Sequence, residues 1–301
     1  KQIIIDNIKS AIALRKTVVP KETTTYRLIN GEADSLPGLI VDVYGEVLVL
    51  HANTLGIEKL KPLILDLLQS AINPKAIYEK SSSPTRRNEG LLDSEGWLSG
   101  EAPQPTEVLE HGLKFSVSFE SSQKTGLFLD QREMRQLIKN FSQDRTLLNC
   151  FSYSGGFSVY ALAGGAVRAD SVDSDKGAIA TAKDNLLLNG FDASKNGLYT
   201  ADVMAFLTQN KLPADYDFII LDPPAFAKRS SDVKNASRGY RDLNRLAMQK
   251  LPKGGLLLTS SCSSHIDREL FQTIIFQAAK DAKRNIKILS YHVLAADHPL
   301  S

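Results

Sequence analysis

Polar side chains that can do chemistry follow largely apolar segments in the second half of the chain. Asp173, Asp202 and Asp222 close three of these segments, and Cys262 follows another. A carboxylate accepts hydrogen bonds from sugar hydroxyls or from the edge of a base, whereas a cysteine thiolate forms covalent intermediates. If the segments are parallel strands, all four residues lie at the edge of the sheet where ligands bind.

A glycine turn precedes these residues. Tyr153, Ser154, Gly155 and Gly156 follow the mainly apolar segment 147–151, and an apolar helical pattern comes next. The order strand, turn, helix is typical of a nucleotide-binding α/β unit, and glycine lets the backbone approach a ligand at the helix N-terminus. The turn lacks the G-x-G-x-x-G pattern of pyrophosphate-binding loops, which favours S-adenosylmethionine (SAM), a cofactor without phosphate, over a dinucleotide.

The next two acidic residues each suit two roles. An acid at the position of Asp173, after the second strand, accepts hydrogen bonds from both ribose hydroxyls of an adenosine-type cofactor. The same residue type also suits the N-cap of the helix that follows. Asp202 is placed either to face the adenine or to cap a helix that begins at Val203.

The segment D-P-P-A-F follows the fourth strand, at residues 222–226. Pro223 and Pro224 remove two amide donors and stiffen the turn. Asp222 is then held toward a planar substrate, and the ring of Phe226 is available to stack on it. A D-P-P tripeptide at this place is similar to that of methyltransferases acting on planar nitrogen heterocycles.

The two cysteines have different surroundings. Cys150 lies inside an apolar segment, where a cysteine is typically a small buried hydrophobe. Cys262 lies among hydroxyl side chains in T-S-S-C-S-S-H, just past an apolar segment. Because a nucleophile must be exposed to the ligand cleft, Cys262 is the predicted nucleophile. Two thiols are too few for a disulfide framework or a structural zinc site, and we expect no metal.

A basic stretch begins beside the D-P-P turn. Residues 228–253 contain eight Lys or Arg and two Asp. Such a stretch is commonly a solvated face, but its position at the mouth of the proposed cleft suits contact with a phosphate backbone. Together with Pro223, Pro224 and Phe226, the predicted substrate-binding residues are Lys228, Arg238, Tyr240 and Arg241.

Hydrophobic periodicity defines the elements that position these residues. From residue 146 onward strand and helix patterns alternate, which predicts an α/β fold with a doubly wound, mostly parallel sheet. The predicted strands are 147–151, 166–173, 197–202, 217–222, 256–261 and 286–292. We expect an N-terminal helix at 1–20, a small α+β domain with a polar connector at 21–106, and the main domain at 107–301.

Eight segments together resemble the SAM-dependent cytosine-C5 methyltransferases of bacterial large-subunit (23S) rRNA. In chain order they are Y-R-L-I-N-G-E-A-D-S-L-P-G-L-I-V-D (26–42), T-G-L-F-L-D-Q-R (125–132), F-S-Y-S-G-G-F (151–157), S-V-D (171–173), D-P-P-A-F (222–226), R-G-Y-R-D-L-N (238–244), S-C-S (261–263) and A-A-D-H-P (295–299). They span nearly the whole chain. The family carries an RNA-binding PUA domain ahead of the position of Lys1.

The resemblance implies a Rossmann-like class I SAM methyltransferase in which Cys262 and Asp222 are catalytic. Cys262 would add to C6 of the cytosine, and Asp222 would hold the base edge and lie against the cofactor. Phe128, Asp130 and Arg132 would contact the cofactor together with the residues of the glycine turn. The expected partner is 23S rRNA or a large-subunit precursor.

Two alternatives stay open. A methyltransferase of a base nitrogen would use D-P-P without any cysteine, and Cys262 would then be a core residue. A non-catalytic RNA-binding assembly factor would keep the fold without needing SAM.

Composition limits the remaining classes of protein. The net charge of +2 implies no partner by itself. No apolar run approaches the ~18 residues of a membrane span, so we expect no membrane association. With only two cysteines, a reducing, cytoplasmic location is expected.

Overall fold

The structure, a computed structural model, describes residues 1–120, 127–292 and 294–300, and the chain forms two compact units. The first unit comprises Lys1–Met134 with Val293–Ser301, and the second comprises Arg135–His292. This division falls later than the expected boundary at residue 107. The reason is a hairpin after residue 105, in which the Leu109 N–H donates to the Thr24 hydroxyl and the Leu109 carbonyl accepts from the Thr24 N–H. Independent folding of 21–106 and 107–301 stays a prediction.

The first unit is built on a five-stranded sheet in the order β1-β2-β3-β4-β5, in which only β3 and β4 are parallel. A separate pair, β6 and β7, is antiparallel. The elements are α1 (Gln2–Val18), β1 (Thr25–Asn30), β2 (Leu39–Tyr44), β3 (Val47–Ala52), α2 (Leu55–Ile72), β4 (Ala76–Ser81), α3 (Pro84–Asn88), β5 (Ser94–Ser99), β6 (Thr106–Glu110), β7 (Leu113–Val117) and α4 (Arg132–Phe141), the last of which continues into the second unit.

Helical spacing of apolar residues explains how the helices of the first unit pack. Ile8, Ala11 and Ile12 of α1 are buried, and they join one core cluster with Ile64 and Leu68 of α2. Residues three and four apart share a helix face. The small α+β core expected from the sequence is therefore present.

Strand β5 lies in the polar connector that is expected at the end of the segment 21–106. It pairs with β4, and Tyr78 lies opposite Trp97 in the register. Their rings meet edge-on with centroids 5.0 Å apart. Cross-strand contacts of this kind stabilise a strand whose polar, glycine-containing sequence does not favour one.

The second unit is a parallel five-stranded sheet flanked by helices, in the order β10-β9-β8-β11-β12. The chain runs outward from β8 in one direction and then returns to continue in the other, which confirms the predicted doubly wound fold. The elements are β8 (Thr146–Cys150), α5 (Gly156–Ala163), β9 (Arg168–Asp173), α6 (Lys176–Leu188), β10 (Leu198–Thr200), α7 (Val203–Thr208), β11 (Phe218–Leu221), α8 (Val233–Lys250), β12 (Leu256–Thr259) and α9 (Arg268–Asp281).

The prediction of a strand at 286–292 is wrong. These residues belong to no ladder, and β12 is the last strand of the sheet within the described parts of the chain. Ile288, Leu289 and Tyr291 are exposed. An alternating pattern forms a strand only where a neighbouring strand pairs with it.

Central strand β11 has the sequence F-I-I-L, and all four side chains are buried. Continuous apolar runs are typical of parallel strands covered on both faces. Leu148 and Cys150 of the neighbouring β8 and Val172 of β9 belong to the same cluster as Ile219 and Leu221 of β11, and α8 adds Leu243 to it. Among the described helices, none has both the length and the apolar content to cross a bilayer.

Candidate active site at the carboxyl ends of the parallel strands

The loop between β8 and α5 turns sharply at the strand end. Phe151, Tyr153 and Gly155 all have positive φ, at 58°, 46° and 76°. The Ser152 N–H donates to the Val172 carbonyl of β9 at 3.1 Å, which continues the sheet by one residue before the turn. The predicted glycine turn is therefore present beside the neighbouring strand.

Gly155 is required by packing as well as by its backbone angle. A Cβ at this position would lie 2.8 Å from the Cβ of Ala182 on α6. Positive φ adds strain for any other residue. Close approach of two helices is thus a further reason for this glycine, besides the expected approach to a ligand.

Asp173, at the end of β9, holds the glycine turn through its carboxylate. One oxygen accepts the Tyr153 N–H at 2.9 Å, and the other accepts the Asp175 N–H at 3.0 Å. The N-cap of α6 is Asp175, which accepts from Gly177 and Ala178. The N-cap role, one of the two that suit Asp173, is therefore filled by its neighbour Asp175.

Asp202 fulfils the alternative role that its position suggests. It is the N-cap of α7, and its carboxylate accepts the Ala205 N–H at 2.8 Å. The side chain is exposed. Contact with an adenine stays a prediction.

Asp222 lies at the switch between the two directions of the sheet. It follows β11, whose last residue Leu221 is in register with Cys150 of β8 and Thr259 of β12. The Ser260 hydroxyl donates to the Asp222 carboxylate at 2.5 Å. This hydrogen bond fixes the orientation of the carboxylate at the place where doubly wound sheets bind ligands.

The two cysteines lie in contrasting environments. Cys262 is exposed, and its thiol donates to the Pro223 carbonyl at 3.7 Å, so the nucleophile candidate lies beside the D-P-P turn. Cys150 is fully buried, and burial raises the pKa of its thiol far above the ordinary value. A thiol with a raised pKa stays protonated and is a poor nucleophile.

Several predicted substrate residues surround this turn. Pro224 and Lys228 are exposed, and Phe226 is half-buried. Tyr240, predicted to contact the substrate, is instead fully buried, with its ring centroid 4.6 Å from that of Phe226. Its side chain can contact the loops around the site but not an RNA backbone.

Most of the basic stretch forms α8, while Lys228 and Arg229 precede the helix and Lys253 follows it. Arg238 is exposed, whereas Arg241 lies 3.6 Å from the Asp281 carboxylate of α9. An acidic partner partly neutralises Arg241, so the two arginines are not equivalent as phosphate ligands.

The residues of T-G-L-F-L-D-Q-R divide between two settings in the first unit, while Thr125 and Gly126 lie outside the described residues. Phe128 and Asp130 line a cavity of about 720 Å³. Arg132 is fully buried and donates to both carboxylate oxygens of Asp297, at 2.8 and 3.0 Å. This ion pair gives Arg132 a structural role, and it occupies the guanidinium group that is predicted to contact the cofactor.

The serines around Cys262 are site residues that sequence reasoning did not single out. Ser260 bonds Asp222, and the hydroxyls of Ser261 and Ser263 both bond the hydroxyl of Tyr240. The run of hydroxyl residues in T-S-S-C-S-S-H was their only signal. In the parts of the chain that the structure describes, no cluster of His, Cys, Asp or Glu is suited to a metal ion.

Comparison with known proteins places this geometry in a family. The model of the S-adenosylmethionine-dependent methyltransferase family matches residues 84–283. Ribosomal RNA large subunit methyltransferase I of Erwinia tasmaniensis is 41% identical over 278 residues, covering 92% of this chain and 70% of that protein. The protein of the same name from Vibrio parahaemolyticus is 41% identical over 304 residues, covering 99% of this chain and 77% of the relative.

Solved structures agree with this result. One, described as a candidate methyltransferase complexed with S-adenosylhomocysteine (SAH), has a TM-score of 0.86 and 28% identity, covering 99% of this chain and 76% of that one. SAH is what remains of SAM after methyl transfer. The fold and the cofactor, both predicted from sequence, are thereby confirmed, and the chain belongs to the S-adenosylmethionine-dependent methyltransferases.

Proposed function

We propose that this enzyme methylates C5 of a cytosine in large-subunit (23S) rRNA through a covalent bond between Cys262 and C6. The observation that supports this most is the exposed Cys262 thiol at the Pro223 carbonyl of the D-P-P turn. Methylation of a base nitrogen needs no cysteine there. The relatives named ribosomal RNA large subunit methyltransferase I support the choice of RNA.

The chain's own residues fit SAM at the β8–α5 loop. The buried Ser152 hydroxyl, in this loop, has no hydrogen-bond partner among the described residues. Residues 153–156 and Asp173 would hold the cofactor, with Asp202 near its adenine and Asp222 beside the remainder. When bound, SAM supplies a methyl group that a sulfonium sulfur makes electrophilic.

Cys262 overcomes the low reactivity of C5. Its thiolate adds to C6 of the cytosine, and the electron pair of the C5–C6 double bond then makes C5 nucleophilic. After methylation, removal of the C5 proton re-forms that double bond and breaks the bond between sulfur and C6. Asp222, held by Ser260, would bind the N3 and N4 side of the base and stabilise the adduct.

The RNA has to present its base outside the stack. Unstacking costs a few kcal/mol, and less for a base in a loop. Lys228, in the loop before α8, and Arg238 on α8 are both exposed and would hold the phosphates. Bacterial large-subunit RNA is made in the cytoplasm, so this substrate implies that location.

Nucleoside mass spectrometry of large-subunit rRNA tests the proposal. We compare cells that lack the gene with cells complemented by the wild type or by Cys262→Ala. We expect one 5-methylcytidine that is lost with the gene and restored only by the wild type. Loss of an N-methylated nucleoside, restored by Cys262→Ala as well, would favour the nitrogen-methylating alternative.

A further inference from the structure

A closed ring of hydrogen bonds surrounds the backbone of Cys262. The Ser261 hydroxyl donates to the Tyr240 hydroxyl at 3.0 Å, and the Ser263 N–H donates to the Ser261 hydroxyl at 3.3 Å. The hydroxyls of Tyr240 and Ser263 are also hydrogen-bonded, with their oxygens 3.0 Å apart. One phenol therefore links the residues on both sides of the predicted nucleophile.

The phenol itself is firmly held. Tyr240 is fully buried, with its ring packed against Phe226 at 4.6 Å and edge-on to Phe271 at 5.5 Å. The Asn244 side chain donates to the Tyr240 carbonyl one turn later in α8. A side chain fixed by packing can in turn fix the groups that it bonds.

The same ring connects the cysteine loop to the D-P-P turn. The Ser263 hydroxyl accepts the Ala227 N–H at 3.1 Å, and the Cys262 thiol reaches the Pro223 carbonyl at 3.7 Å. The relative position of the two loops thus depends on a hydroxyl oxygen that Tyr240 also holds.

We propose that Tyr240 is a positioning residue for the reaction, and that its hydroxyl sets the place of the Cys262 sulfur relative to the D-P-P turn. This inference rests on the proposed function, in which Cys262 attacks C6. Misplacement of a nucleophile by about 1 Å can cost up to about a hundredfold in rate. Tyr240 does not touch the substrate and acts only through Ser261 and Ser263.

The test is Tyr240→Phe, which keeps the aromatic packing and removes only the hydroxyl. The substrate is a large-subunit rRNA transcript that contains 5-fluorocytosine, which allows the adduct to form but blocks its release. We expect covalent capture and single-turnover methylation of normal RNA to slow by about ten- to a hundredfold. SAM affinity and RNA affinity should stay at the wild-type values.

Tyr216→Phe is the matched control. Tyr216 is also buried in the second unit, and its hydroxyl donates to the Asp170 carboxylate at 2.5 Å, away from the cysteine loop. This variant should lose thermal stability but capture RNA at the wild-type rate. If Tyr240→Phe does not fold, Ser263→Ala removes the same bond from its other end, together with the acceptor of the Ala227 N–H.

A double-mutant cycle separates positioning from general loosening. Tyr240→Phe and Ser263→Ala remove the same bond, so their effects on the capture rate should be far from additive. Capture by Tyr240→Phe at the wild-type rate would overturn the positioning role while leaving the proposed function intact. Absence of capture by the wild type would instead overturn the proposed function, and this inference with it.

Discussion

At the scale of single residues, the Asp173 carboxylate can accept hydrogen bonds from the protein and from a ligand at the same time. Each carboxylate oxygen accepts one backbone N–H, from Tyr153 and from Asp175. A carboxylate offers roughly four acceptor positions, so ribose hydroxyls can be accepted as well. Asp173 thus connects the shape of the glycine turn to the proposed ribose contact.

Replacing Asp173 by alanine should weaken SAM binding by about 1.5–3 kcal/mol, the cost of losing a charge-assisted hydrogen bond. Isothermal titration calorimetry measures this directly. Asp175→Ala is the control, because Asp175 caps α6 and its loss should cost helix stability without a comparable loss of affinity. An Asp173→Ala protein that binds SAM like the wild type would remove Asp173 from the site.

At the scale of elements, α8 combines two tasks. Its exposed side presents basic residues, including Arg238, and its buried side provides Tyr240 to the loop of Cys262. The two residues are neighbours on one helix turn. In the proposed function, docking of RNA and placement of the nucleophile therefore both depend on this helix.

The arginines of α8 should contribute unequally to the salt dependence of RNA binding. Arg238→Gln should reduce the slope of log K against log salt by about 0.7–0.9, the value for one phosphate contact. Arg241→Gln should reduce it less, since Asp281 already pairs with Arg241. Binding isotherms at several salt concentrations give the slopes.

Lys195→Gln is the control for this series. Lys195 is exposed and precedes β10, at the other edge of the parallel sheet from β12. The slope of log K against log salt for this variant should equal that of the wild type. Equal slopes for Arg238→Gln and the wild type would show that the basic face of α8 is merely solvated.

Elements with strong periodicity are predictable from the sequence, and those that depend on distant partners are not. The apolar strand β11 lies within the predicted 217–222, and β8 is offset by one residue from the predicted 147–151. Strand β5 is missed because its stability comes from β4 rather than from its own residues. The prediction of a strand at 286–292 is wrong for the opposite reason. These residues have the alternating pattern of a strand, but no strand among the described residues pairs with them.

The same distinction applies to the site. Cys262 and Asp222 could be singled out because each residue type has a chemistry of its own and follows an apolar strand. The bonds of Tyr240 to Ser261 and Ser263 join residues about 20 positions apart. Spacing along the chain does not reveal such a bond, so Tyr240 is predicted as an RNA ligand although it is buried.

At the scale of the whole molecule, buried ion pairs and hydrogen bonds in the first unit hold residues from both ends of the chain. Arg15 of α1 bonds the Asp34 carboxylate and the Asp297 carbonyl. The Asp297 carboxylate bonds Arg132 and the Arg27 N–H. Burial opposes ionisation of Asp297, but hydrogen bonds from His298 and Arg132 outweigh it and lower its pKa. The A-A-D-H-P segment thus has a structural role.

Asp297→Asn should therefore reduce the free energy of unfolding by about 3–5 kcal/mol, because it removes the buried anion that pairs with Arg132 and leaves that guanidinium only the partly exposed Glu133. The folded-state pKa lies below the unfolded value of about 3.9. The stabilisation is thus complete above that pH and is lost as the pH falls through the folded pKa. The difference between variant and wild type should shrink in acid.

Denaturant titrations at neutral and acidic pH measure this difference. Glu107→Gln is the control, because Glu107 pairs with Lys114 at 3.0 Å with both side chains about half exposed. Exposed pairs contribute about 1 kcal/mol or less. If the two variants had equal stability at neutral pH, the buried network would not hold the ends of the chain.

Covalent capture on RNA that contains 5-fluorocytosine tests the central claim most directly, because fluorine at C5 prevents the proton removal that releases the enzyme. With SAM present, the wild type and Cys150→Ala should give a protein–RNA complex that resists denaturant. Cys262→Ala should give none while still binding SAM. Capture by Cys262→Ala, or no capture by the wild type on RNA that it methylates, would contradict the mechanism.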